Sequence, residues 1–140
     1  MVGKLDLLRG LYEKITIPTA VFTEIRPGLQ LPDWIAVAKL AQPIPTLLCE
    51  AELGVGETEA IALAMQTPGS VLLLDDRRAR KLAMRLGVAV SGTLSVLLRA
   101  KEQGLIGEVQ PTLDLLVREG LRVSQKQFDS TLFTAGESRR

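Results

Sequence analysis

Glu24, Glu57, Glu59, Asp75 and Asp76 are the side chains whose type and spacing suit chemistry. Between Leu40 and Asp76 the chain carries no Lys or Arg, whereas from Arg77 to Lys101 it carries no acid. None of the 140 residues is histidine, which removes every mechanism that depends on imidazole, including Ser-His-Asp hydrolysis and histidine-ligated zinc. Carboxylates that converge without histidine call for a hard cation. Two unit charges 4 Å apart repel by about 4 kcal/mol at an effective dielectric near 20. Mg²⁺ or Mn²⁺ relieves that repulsion, accepts oxygen ligands, and can orient and acidify a bound water beside a phosphate. The chemistry this predicts is hydrolysis of a phosphodiester.

Each acid also has a purely structural reading. Glu57 and Glu59 open a helix, where the macrodipole favours a carboxylate by about 0.3–1 kcal/mol. Glu57 shares a stripe with Ala60, Ile61 and Ala64 and is expected to look inward; Glu59 shares one with Ala62, Leu63 and Gln66. Of the paired aspartates, Asp75 is assigned to cap the following helix and Asp76 to the chemistry. Glu24 lies near the end of a short helix opened by Pro18, where the dipole disfavours it. Either Arg26 or a metal must compensate. The metal set is therefore Glu24, Glu57 and Asp76, with Glu59 and Asp75 as alternates to their neighbours. On the helix after Asp76, Arg77, Lys81 and Arg85 share one face, and Ala79, Leu82, Ala83 and Leu86 form an apolar stripe. Arg77, Arg80 and Lys81 are the candidates to grip the phosphates of a polyanionic substrate, against the plainer reading of a solvated face. Aromatics are only 4% of the chain, which argues against base stacking as the main hold.

Short branched runs must position these residues. Ile15-Thr16-Ile17, Val71 to Leu74, Val88-Ala89-Val90 and Leu121-Arg122-Val123 read as strands separated by helix-period segments. Gly87, Gly104 and Gly120 follow helices as left-handed stops, and Ser124 with Gln127 forms a capping box. The alternation predicts a three-layer α/β/α sandwich with a mostly parallel central sheet. Residues 1–140 read as one domain, with the proline-rich stretch from Arg26 to Pro45 irregular. The composition, 46% hydrophobic and 24% charged, excludes wholesale disorder, and the net charge of +1 points to no partner. A single cysteine, Cys49, excludes a disulfide framework and is expected to pack inside. No run reaches the roughly 20 apolar residues of a membrane span, and Lys4, Asp6 and Arg9 break any signal-peptide pattern, so a cytoplasmic location is expected. Gly54-Val55-Gly56 starts like a dinucleotide fingerprint, yet Glu59 occupies its third glycine.

The run Leu53 to Ala64, then Leu73 to Arg80, then Val90-Ser91-Gly92-Thr93-Leu94 resembles the PIN-domain proteins, and within them the VapC-like toxins of toxin–antitoxin pairs. The likeness extends over Ile17-Pro18 to Glu24-Ile25, Gly120 to Ser124 and Ala135-Gly136-Glu137. It implies an Mg²⁺- or Mn²⁺-dependent endoribonuclease, a cognate antitoxin and a homodimer. By position Glu24, Glu57 and Asp76 match the family's acids, and Thr93 falls in the region near the metal. One departure stands out. The family's first strand, which is central and ends in a metal-ligating aspartate, has no counterpart: Met1-Val2-Gly3 leads directly into a helix from Lys4 to Tyr12 that contains Asp6. The fold is thus expected to be N-terminally truncated. Either the chain starts further upstream, or another segment or subunit fills the place, or the copy is degenerate. The alternative function is a truncated, catalytically inactive PIN-like binding or assembly module.

Overall fold

The computed structural model describes residues 2–25 and 30–140, and Arg26, expected as a counter-charge for Glu24, lies outside them. The chain divides into two compact units, one formed by residues 13–92 and the other by residues 1–12 with 93–140. In the first unit, β1 (Ile15–Pro18) leads into α2 (Thr19–Glu24), β2 (Ile35–Ala38), α3 (Thr46–Cys49), α4 (Val55–Met65), β3 (Leu72–Leu73), α5 (Arg77–Arg85) and β4 (Val90–Ser91). The second unit holds α1 (Val2–Leu11), α6 (Thr93–Glu102), α7 (Gln110–Arg118) and α8 (Gln125–Thr134).

The α/β class is as the sequence predicts, and among the described residues the strand pairing is parallel. The sheet itself is smaller. Among the described residues, β1 pairs with β2 (Ile15↔Ile35 to Pro18↔Ala38) and β3 with β4 (Leu72↔Val90, Leu73↔Ser91), as two separate ladders and not one continuous sheet. Helix α4 packs against both β1 and β3, so one helix backs both ladders. Parallel strands need such cover. Three strand expectations change. The sequence Ile35-Ala36-Val37-Ala38 forms β2 inside the stretch expected to be irregular. Leu121-Arg122-Val123 joins no strand among the described residues; Leu121 N–H donates to Leu116 O at 2.9 Å just after α7. Val71 is 48% exposed and stays outside β3, so that run is not covered on both faces.

Helix punctuation follows the sequence closely. Gly87, Gly104 and Gly120 take φ of 82°, 77° and 114° after their helices. Ser124 Oγ accepts from Gln127 N–H at 3.0 Å, while Gln127 Oε1 accepts from Ser124 N–H at 3.0 Å. The expected apolar stripe on α5 is inward, with Ala79 and Ala83 buried beside Leu48, Ile61 and Ala62. A separate core in the second unit centres on Leu97, Val109, Leu113, Phe128 and Leu132. Cys49 is exposed, contrary to expectation, because α3 is a single turn that buries Leu48 instead.

Candidate metal centre

Helix α4 brings three of the nominated acids into one neighbourhood. Gly54 precedes it, Gly56 is buried in its first turn, and Glu57 and Glu59 follow. The Glu24 carboxylate comes from the far end of α2 and lies directly on Gly56. A β-carbon built there would sit 2.7 Å from Glu24 Oε1 and 2.8 Å from Oε2. Glu57 turns back toward its own helix start, where Oε1 accepts from Gly54 N–H over a long 3.4 Å. Glu59, not Glu57, reaches across. Its Oε1 accepts from Ala20 N–H at 3.0 Å. The helical stripe suggested the opposite order, because position on α4 carries no information about where α2 lies.

Asp75 and Asp76 follow the carboxyl end of β3, as sites in parallel sheets do. The cap falls on Asp76 instead of Asp75: Asp76 Oδ1 accepts from Ala79 N–H at 2.8 Å and starts α5. Asp75 Oδ1 and Arg80 Nη1 both lie 3.1 Å from where a Gly92 β-carbon would stand. Arg80 is half-buried there, which sets it apart from the exposed Arg77, Lys81 and Arg85. Arg78 Nη2 donates to Ala51 O at 3.0 Å and ties α5 to the segment before α4. Thr93 opens α6 and belongs to the other unit. A cavity of about 500 Å³ before β3 and β4, lined by Met65, Pro68, Val71, Leu86 and Ala89 among others, contains no ionisable side chain and offers no chemistry.

Among the described residues no three Asp, Glu or Cys side chains gather tightly enough to hold a metal alone. Mg²⁺ does not require that, because it commonly takes one or two carboxylates and completes its octahedron with water and substrate phosphate. Glu24 and Glu57 bring oxygen donors, the kind such a cation takes, to the start of α4.

A family model described as a PIN domain matches residues 1–137. No curated protein and no solved structure matches the chain.

Proposed function

The chain belongs to the PIN-domain family, and from that footing we propose that it is a divalent-metal-dependent endoribonuclease. The observation that carries this reading is the Glu24 carboxylate seated on Gly56 in the first turn of α4, next to Glu57. Glu24 and Glu57 would hold Mg²⁺ or Mn²⁺, with Asp76 completing the set. A carboxylate can cap a helix through one oxygen and ligate through the other. The bound ion supplies an acidified water and neutralises charge developing on the phosphate. Arg77 and Lys81, exposed on α5, draw the polyanionic strand toward the acids. Arg80 belongs to this group by charge, and its place against Gly92 gives it a holding role as well. The biological setting that accompanies the VapC likeness is a toxin acting as a homodimer and restrained by a cognate antitoxin.

The test is cleavage of single-stranded RNA by purified protein with added Mg²⁺ or Mn²⁺. Asp76→Asn preserves a competent helix cap and removes a charged ligand, so it is expected to abolish cleavage without loss of fold. Equal inactivity of wild type and variant across metals and RNAs would leave the non-catalytic binding or assembly module as the surviving reading.

A further inference from the structure

Helix α2 has only six residues, Thr19–Glu24, far too few to persist without outside support. Its N-cap is Pro18, which has no side-chain acceptor and makes no cap hydrogen bond. The leading N–H groups of a helix need partners from elsewhere. Ala20 N–H finds one in Glu59 Oε1, at 3.0 Å and 39 residues away. Ala20 is buried and Glu59 half-buried, so this bond is partly shielded from water.

Helical spacing gives that bond a consequence. Ala20 and Glu24 are four residues apart and share a face of α2; Gly56 and Glu59 are three apart and share a face of α4. The two faces meet through two struts, Glu59 to Ala20 and Glu24 onto Gly56. We propose that Glu59 is a positioning residue and not a metal ligand: it fixes α2, and α2 fixes the Glu24 carboxylate at the start of α4. This rests on the nuclease reading for the importance of Glu24, and it leaves Glu57 as the ligand on α4. Glu59 Oε1 engages an amide of another helix, α2, whereas the amides that Glu57 and Asp76 engage belong to their own helix starts.

Two variants and two readouts test it. In the metal-free full chain, Glu59→Ala should speed amide hydrogen exchange over Ala20–Glu24 by about tenfold, the consequence of one lost hydrogen bond. Glu59→Gln keeps an oxygen that accepts from Ala20 and should stay within about threefold of wild type. Mn²⁺ affinity, followed by thermal shift, should fall by about tenfold in Glu59→Ala and be rescued in Glu59→Gln. Unchanged α2 exchange in Glu59→Ala overturns the proposal. So does a Glu59→Gln protein with protected α2 amides that loses Mn²⁺ as fully as the alanine variant, because that pattern belongs to a ligand. If wild type binds no Mn²⁺, the nuclease reading falls, and the exchange measurement alone decides whether Glu59 positions α2.

Discussion

Gly56 leaves no room for a side chain, because the Glu24 carboxylate occupies the space a β-carbon would take. The obstacle is the end of a flexible side chain, so Gly56→Ala can be accommodated by swinging Glu24 away. Alanine also suits a helix better than glycine by about 0.8–1 kcal/mol. The expected outcome is a protein with an unchanged or higher melting temperature whose RNA cleavage drops about tenfold, one misplaced ligand being enough to disturb such a site. Thermal melts beside cleavage rates check this, and full activity would show that the seat of Glu24 is irrelevant. At this scale the sequence singled out acids by type and helix position, and Glu24, Glu57 and Glu59 do lie around the start of α4. It did not reveal Glu59 to Ala20, because a bond across 39 residues leaves no local pattern. Nor could it separate Asp75 from Asp76, since adjacent aspartates differ as caps only once the backbone turn is fixed.

Helix starts recur as the places where this fold uses carboxylates. Asp76→Ala removes the cap of α5 and should cost about 1 kcal/mol in unfolding experiments, a loss that Asp76→Asn largely avoids. Glu137 does similar work for α7. Its oxygens accept from Val109 N–H at 2.8 Å and Gln110 N–H at 3.1 Å, and from Lys101 Nζ at 2.8 Å. Burial pushes the Glu137 carboxyl up, but the Lys101 hydrogen bond, the two amide bonds and the Lys101 charge together hold it below the usual carboxylate value. A lowered folded-state value means the stabilisation is complete above the ordinary carboxylate range and is lost as pH falls through it toward the lowered value. Glu137→Gln should therefore flatten the acid side of the stability profile, and at neutral pH it should cost about 1–3 kcal/mol. Unfolding midpoints measured from pH 7 downward check both. Elements with local signals were legible: the Ser124 box, the glycine stops and the amphipathic α5. Strands were harder, because strand-like composition reports burial more than pairing. Leu121 and Val123 have that composition and pack into the core around Leu113 as unpaired chain. In contrast, Ile35–Ala38 pairs with β1 despite its proline-rich surroundings.

For the molecule as a whole, net charge says little and charge order says a good deal. Acids cluster before α5, and exposed Arg77, Lys81 and Arg85 line one side of it. Single-stranded RNA binding loses about 0.7 units of log-affinity per log-unit of salt for each phosphate neutralised. Replacing all three cations with glutamine should make that slope shallower by about 2, measured with Ca²⁺ in place of the catalytic ion. An unaltered slope would place the RNA elsewhere. No described helix is long and apolar enough to cross a membrane. The exposed position of Cys49 has a practical use. It is the chain's lone sulfhydryl, it ends a turn that packs on α4, and it lies outside both hydrophobic clusters. A nitroxide attached there would make the protein its own ruler, with paramagnetic broadening by manganese reporting how far the ion settles from a known atom.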